Sequence, residues 1–479
     1  MRQRPVVLPL VLSALGTATS VAAQTRPHAG PSWDFGHGDL RVSEDRRFIV
    51  HADGAPFWWQ GDTAWELFHR LTREEAEKYL EARRQQGFTV IQAVALAELD
   101  GLNTPNAYGF RPFVDNDPAR PGVKDGPRND YWDHVGDVVA LAREKGIYMG
   151  ILPTWGDKLG PKLWGEGPVV FTVDNAKAYG RWLGARFKGA PNVIWILGGD
   201  RPADATASVW RAMAAGLMDG DGGRHVRTYH PMGGLSSALW FHGDDWLSFN
   251  MIQSGHARRD EPSWLAVASD YARTPVKPVL DGEPRYENHP VNWNPQNGWF
   301  DDSDVRQAAY WALFAGAFGH TYGCHDVWQM NAPGRTPISA ARNFWYDVLD
   351  LPGAWDMLHV RRLMLSRPFL GRIPDQLLVA SGHGDGVDHV QATRDRDGAY
   401  AFLYLPTGRS VRVDVARLRG PRLQAWWFDP RTGESQPAGE WEAAGTHEFE
   451  APGPHVRGND WVLVLDDVSR HFPPPGEPR

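Results

Sequence analysis

Asn192-Val193-Ile194-Trp195-Ile196-Leu197-Gly198-Gly199-Asp200 is an unbroken apolar run that closes on two glycines and a carboxylate. A strand with no polar alternation is buried on both faces, as in a parallel sheet covered by helices. The glycines allow the chain to bend sharply after it and leave Asp200 at the strand's C-terminal end. A helical pattern over about 174–187 precedes the run and another, 207–218, follows it. The same alternation extends in both directions. Strand patterns fall at 57–60, 89–94, 147–152, 226–230, 247–252, 276–280 and 320–323, with helices at 131–145, 263–271 and 303–318. Thr72-Arg73-Glu74-Glu75 opens a further helix as a capping box. Eight strands in this rhythm predict an α/β chain whose main domain, residues 35–370, is a (β/α)₈ TIM barrel.

Beyond about residue 370 the pattern changes to short strands at 387–393, 399–405, 410–415, 423–428 and 461–465. Turn signals at Asp397-Gly398 and Thr432-Gly433 separate them, which predicts a small antiparallel β-sandwich over 375–467. The proline-rich end, 468–479, is expected to be a disordered tail. Residues 1–23 read as an export signal: Arg2 and Arg4, an apolar run over 6–15, then Val21-Ala22-Ala23. That segment places the protein in the periplasm or outside the cell. The run is too short for a permanent membrane span, and no cysteine near the cleavage point suggests a lipid anchor.

The chain is 42% hydrophobic with a net charge of −8 and no Lys/Arg run, so nucleic acid is not an expected partner. Its one cysteine, Cys324, cannot form an internal disulfide and reads as a buried structural thiol. The 23 tryptophans exceed what core packing needs. Indole faces stack on the C–H faces of sugars, which points to an oligo- or polysaccharide partner.

Functional residues of such a barrel gather at the C-terminal ends of its strands. Those positions carry Asp62, Gln92, Asp200, His230, Gln253, Glu283 and His325-Asp326, with Trp65, Trp155, Trp293 and Trp328 beside them. Strands four and seven face each other across a barrel, so Asp200 and Glu283 can flank one glycosidic bond. Hydrolysis needs a protonated acid at the leaving oxygen and an ionised carboxylate at the anomeric carbon. Asp200 is assigned as acid/base and Glu283 as nucleophile; Asp62, Trp65, Gln92, Trp155, His230, Gln253, Trp293, His325 and Trp328 are assigned to substrate binding. The competing reading has either acid capping a helix or holding Arg201 or Arg285. No metal-ligand spacing, dinucleotide glycine motif, phosphate loop or Gly-x-Ser-x-Gly is present, so neither metal nor cofactor is expected.

Phe57-Trp58-Trp59-Gln60-Gly61-Asp62-Thr63-Ala64-Trp65, Trp195 to Asp200 and Asp281-Gly282-Glu283-Pro284 together resemble the apiosidase-like glycoside hydrolases, over about residues 35–370. The sandwich is similar to the module that follows those barrels, sometimes labelled collagen-binding. The resemblance implies the same catalytic pair and release of a terminal sugar, apiose or another pentose, from pectic or related glycans, with a retaining outcome. Related barrels more often carry Asn-Glu at the acid position, where Asp200 is shorter. The alternatives are an endo-acting β-glycanase and a non-catalytic carbohydrate-binding surface protein.

Overall fold

The computed structural model describes residues 26–160 and 163–478. The segment read as an export signal lies outside the described residues. Eight parallel strands form a nearly closed barrel: β1 (Trp59–Thr63), β2 (Val90–Val94), β3 (Tyr148–Leu152), β4 (Val193–Gly198), β5 (Arg227–His230), β6 (Asn250–Gln253), β7 (Val279–Asp281) and β8 (Gly319–Tyr322). The ladders run β5-β4-β3-β2-β1-β8-β7-β6, with Leu235–Ser236 adding a short antiparallel edge to β6. The seam between β5 and β6 has no regular ladder. It is held by Ser248 N donating to the Arg227 carbonyl (2.8 Å) and Thr228 Oγ1 donating to the Phe249 carbonyl (2.7 Å).

Most of the longer helices follow the sequence periodicity, and Pro352–Leu365 is a further one that the pattern reading did not include. Val173–Phe187 and Ala207–Asp221 flank β4 and pack on each other through small residues. A Cβ on Gly180, Gly184, Gly216 or Gly220 would lie within 2.5 Å of the facing backbone. The capping box at Thr72 is present, with Thr72 Oγ1 accepting from Glu75 N and Glu75 Oε2 accepting from Thr72 N. Among the described residues no helix is long and apolar enough to cross a membrane.

The C-terminal unit has two antiparallel sheets. The larger has β9 (Arg372–Pro374), β11 (Gln391–Asp395), β12 (Tyr400–Leu405), β14 (Arg422–Phe428), β15 (Ser435–Glu442) and β17 (Trp461–Asp467); the smaller has β10 (Val379–Ser381), β13 (Val411–Asp414) and β16 (Thr446–Phe449). Alternate side chains of β12 and β17 serve two different cores. Tyr400, Phe402, Tyr404, Val462 and Val464 join the barrel's core, whereas Ala401, Leu403, Leu405, Leu463 and Leu465 fill the sandwich. Tyr404 stacks on Tyr310 of the barrel at 4.7 Å. Trp426 and Trp427 point to opposite faces as adjacent strand residues must: Trp427 enters the sandwich core and Trp426 packs toward the barrel's.

Charge reinforces the junction. Arg306, buried in the barrel helix Asp302–Phe314, makes a bidentate pair with Asp460 (2.9 and 3.0 Å) and also reaches Asp356 (2.7 Å). Arg367 grips Asp466 through two contacts of 2.7 and 2.8 Å. The tail expected to be disordered is instead laid on this junction. The ring of Phe472 sits under the Arg367 guanidinium at 4.8 Å and edge-on to Tyr400. Proline richness argues against helix and strand, but it does not prevent an apolar residue such as Phe472 from docking.

Removing one partner of a buried ion network costs more than the network contributes, because the remaining charges lose their compensation. Arg306→Met is therefore expected to lower unfolding free energy by about 3–5 kcal/mol, read in urea by far-UV circular dichroism. A loss below about 1 kcal/mol, the range of an exposed pair, would contradict the junction as described.

Candidate active site

Strand β4 is buried throughout and ends in an unusual stretch of backbone. Gly198, Gly199 and Asp200 all have positive φ, at 94°, 118° and 54°. The first two positions require glycine: a Cβ on Gly198 would stand 2.2 Å from the His230 carbonyl, and one on Gly199 2.8 Å from the Trp155 ring. Asp tolerates the left-handed region better than most residues, but the conformation still costs on the order of 1 kcal/mol. The result is a carboxyl group projected into the barrel mouth and only half-buried.

Glu283 arrives from the opposite side. After β7, Gly282 passes so close to Met251 that a Cβ would meet its sulfur at 2.6 Å. The turn is tied down on three sides. Gln92 Nε2 donates to the Gly282 carbonyl (2.9 Å), Gly282 N to the Ile252 carbonyl (2.8 Å), and Gly255 N to the Glu283 carbonyl (3.0 Å). The Glu283 carboxylate sits between two imidazoles: His230 Nε2 is 2.9 Å from Oε2 and His256 Nε2 is 3.0 Å from Oε1. The phenol of Tyr286 stands beside the same carboxylate and Thr63.

These surroundings drive the two carboxyls apart. Burial pushes Glu283 up, but the two imidazoles, His230 by its charge at close range and His256 by its charge and a hydrogen bond, outweigh it and hold it well below the ordinary glutamate range. Asp200 is pushed up to about 7, first by burial and then by the negative charge of Glu283; His230, Arg201 and a hydrogen bond from Gln253 oppose this without cancelling it. One carboxyl thus keeps its proton up to about neutral pH while its neighbour is ionised. Opposite environments for a carboxyl pair are the pattern that separates acid from base roles. Neither arginine named as a competing partner binds a carboxylate of the pair. Arg201 Nη1 donates to the Asp200 carbonyl (2.8 Å), and Arg285 donates to Arg259 O and Gln307 Oε1.

Several of the residues read from strand ends surround the pair. His230 touches Glu283 and Gln253 bonds Asp200. Trp65 stands edge-on to His230 at 5.3 Å, and Trp155 lies 5.2 Å from Trp65 and packs against Gly199. Gln92 acts at one remove, through the Gly282 carbonyl. Trp293 is 51% exposed and edge-on to His256 at 5.6 Å. Several buried polar atoms around the pair have no hydrogen-bond partner among the described residues: Gln92 Oε1, Gln253 Oε1, His256 Nδ1, the Tyr286 hydroxyl, the Trp155 indole nitrogen, and His230 Nε2 and Glu283 Oε2, which approach each other without hydrogen-bond geometry.

Three expectations are corrected. Asp62 does not face the mouth. Its Oδ2 takes the Arg83 guanidinium (2.5 Å) and the Tyr79 hydroxyl (2.5 Å), all fully buried between barrel and helix. Side chains alternate along a strand, so Thr63 points inward and Asp62 outward. His325 and Trp328 stand one layer behind the site. His325 Nε2 is held by the Ile338 and Ser339 carbonyls (3.1 Å each), its Nδ1 accepts from the Trp328 indole (3.2 Å), and its ring meets that of His289 rather than a carboxylate. Asp326 likewise accepts from Arg342 N and Asn343 N and organises the following loop.

The sequence reading passed over His256, Tyr286 and Glu98. His256 follows Gln253-Ser254-Gly255, and Gly255 (φ 78°) turns the chain back over the mouth. Extending the strand-end reading past that glycine finds it. Glu98 lies four residues beyond β2, in the loop that borders Asp200.

Since Asp62 neutralises a buried guanidinium, Asp62→Asn is expected to destabilise the fold by about 3–5 kcal/mol, seen in thermal or urea unfolding. An unchanged stability with weakened glycan binding would restore it to the binding surface.

Comparison with known proteins identifies the family of the barrel and of the C-terminal unit. A family model described as "Apiosidase-like, catalytic domain" matches residues 43–371, and one described as "Putative collagen-binding domain of a collagenase" matches residues 373–466. A solved structure described as a glycoside hydrolase is 36% identical, with TM-score 0.85 over 91% of this chain and 98% of that one. A glycoside hydrolase family 5 structure from Bacteroides vulgatus ATCC 8482 is 34% identical, with TM-score 0.85 over 92% of this chain and 95% of that one. No curated protein matches the chain. On a barrel match spanning well over half of its length, this chain belongs to the apiosidase-like family and is a glycoside hydrolase.

Proposed function

We propose that the enzyme is a retaining, exo-acting glycosidase that releases a terminal sugar, apiose or another pentose, from pectic or related glycans, with Asp200 as acid/base and Glu283 as nucleophile. The observation that supports it most is the pair of adjacent carboxyls biased toward opposite protonation states. In the first step Asp200 gives its proton to the glycosidic oxygen while a Glu283 oxygen bonds the anomeric carbon. The C–O bond to the leaving sugar breaks and a glycosyl ester forms on Glu283. In the second step Asp200, now ionised, takes a proton from water as that water attacks the same carbon and frees Glu283. His230 and His256 serve both steps by holding Glu283 ionised as attacking and leaving group.

The substrate class rests on the family and on the walls of the mouth. Trp65 and Trp155 close one side, and Trp293 of the loop after β7 stands edge-on to His256, which favours a pocket for one terminal residue. Export through the signal read at residues 1–23 belongs to the same proposal, since pectic glycans lie outside the cell.

The test is release of reducing sugar from a panel of pectins and aryl glycosides. Wild type is expected to free one monosaccharide, and Glu283→Gln to fall to background. Asp200→Asn should lose about 10²–10⁴-fold on glycans but far less on aryl glycosides, whose leaving groups need little protonation. Release that survives in Glu283→Gln would sink the assignment, and a ladder of oligosaccharides would indicate endo action.

The rate requires Asp200 protonated and Glu283 ionised. It should therefore fall on the alkaline side as Asp200 loses its proton around pH 7, and on the acid side only as Glu283 protonates below its ordinary range. His256→Ala removes a hydrogen bond that favours the ionised form, so the acid limb of the kcat/KM profile should move upward. A profile whose acid limb is unmoved would contradict the role given to His256.

A further inference from the structure

A second feature of the mouth lies beside Asp200 and plays no part in the two steps above. Arg201 is 3% exposed and connects the acid's own backbone to an aromatic. Its Nη1 donates to the Asp200 carbonyl at 2.8 Å, its Nη2 donates to the Trp164 carbonyl, and its guanidinium lies 4.3 Å from the centre of the Trp164 ring. Trp164 is nevertheless 41% exposed, so the guanidinium covers part of the indole and leaves the rest to solvent. A tryptophan clamped this firmly and left this open is costly as packing alone, and it suits stacking on a flat C–H face.

The neighbouring loop brings Glu98 to the same place. Leu99 N donates to the buried carboxylate of Glu66 (3.2 Å), Trp155 N to the Leu96 carbonyl (3.2 Å), and Glu166 N to the Glu98 carbonyl (3.4 Å). The last bond joins the Glu98 loop to the one that carries Trp164. The Glu98 side chain stands among Asp200, Asp157, Glu66 and Arg201 at the half-buried rim. Asp157 is already paired with Lys158 (2.8 Å), and Glu66 with His69 (2.8 Å) and Arg70 (3.4 Å). Glu98 has no such cation in ion-pair contact among the described residues. Burial first, and then the three surrounding carboxylates, hold it well above the ordinary glutamate range, with Arg201 opposing. A neutral carboxyl at a rim offers one O–H donor and an acceptor, which is what a sugar hydroxyl takes.

We propose that Trp164 and Glu98, set by Arg201, form a subsite for the sugar on the leaving-group side of the scissile bond, Trp164 stacking on its ring and Glu98 bonding one of its hydroxyls. The side follows from chemistry: a general acid must reach the glycosidic oxygen, so whatever adjoins it beyond that oxygen adjoins the leaving group. The inference therefore rests on the role proposed for Asp200. It makes the enzyme selective for a saccharide, rather than a small alcohol, as the group displaced.

The test compares two substrates of the sugar that wild type frees from pectin: the pectic oligosaccharide that carries it, and its glycosyl fluoride, which has no leaving-group ring. Wild type, Trp164→Ala, Glu98→Ala and Glu98→Gln are assayed on both. For Trp164→Ala and Glu98→Ala, kcat/KM on the oligosaccharide is expected to fall at least tenfold further than on the fluoride, mainly through KM. Glu98→Gln, which keeps a donor and an acceptor, should recover most of the Glu98→Ala loss. Equal losses on both substrates, or no loss on the oligosaccharide, would overturn the subsite while leaving the proposed hydrolysis intact. A wild type inert toward both would overturn the hydrolytic reading and the subsite with it.

Discussion

The contact of two imidazoles with one carboxylate organises everything else at the mouth. His230 and His256 keep Glu283 ionised inside a wall that would otherwise neutralise it, and that fixed negative charge is one of the two forces keeping Asp200 protonated. The acid and the nucleophile are not tuned separately. Loss of His256 would weaken the nucleophile and, through the shared field, the acid, whereas His230 also acts on Asp200 directly and in the opposite sense. The left-handed turn of Gly198-Gly199-Asp200 has meaning in the same frame, because it brings the second carboxyl close enough to feel the first.

The scaffold around that contact is built to resist displacement. Glu283 is set by bonds from β2 and β6, and Asp200 by a close passage against His230 and Trp155. Behind them, the sandwich shares a core with the barrel instead of hanging from it, and Arg306 and Arg367 lock the two with buried bidentate pairs. The aromatic residues of β12 and β14 are spent on packing: Tyr400, Phe402 and Tyr404 meet the barrel, and Trp427 the sandwich interior. The physical role these contacts support for the C-terminal unit is bracing of the barrel helices that lie under it.

Most of the fold was legible because two periodicities carry it. The unbroken apolar runs marked buried parallel strands, and the i, i+3, i+4 stripes marked the covering helices, so that Ser263–Tyr271 matches to the residue. Both carboxylates of the site were legible for the same reason, since glycine-punctuated strand ends announce themselves. What failed was parity and depth. Reading Asp62 as a mouth residue ignored that Thr63, one position on, takes the inward face. His325 reads in sequence as a substrate-binding residue, yet two carbonyls claim its ring in a layer behind the site. His256 and Glu98 were missed because loops bring them back over the mouth from beyond the strand ends, and no local pattern encodes where a loop returns. Phe472 escaped notice because its partner, Arg367, lies about a hundred residues away in sequence.

The central claim is that two neighbouring carboxyls share the mouth in opposite protonation states, and it can be tested without knowing the sugar. Infrared difference spectra of wild type minus Asp200→Asn, and of wild type minus Glu283→Gln, followed across pH, read the two groups directly. The account predicts a protonated-acid carbonyl band in the Asp200 difference that disappears around pH 7, and only a carboxylate band in the Glu283 difference throughout that range. A Glu283 difference carrying the protonated-acid band near neutral pH, with Asp200 already ionised, would contradict it.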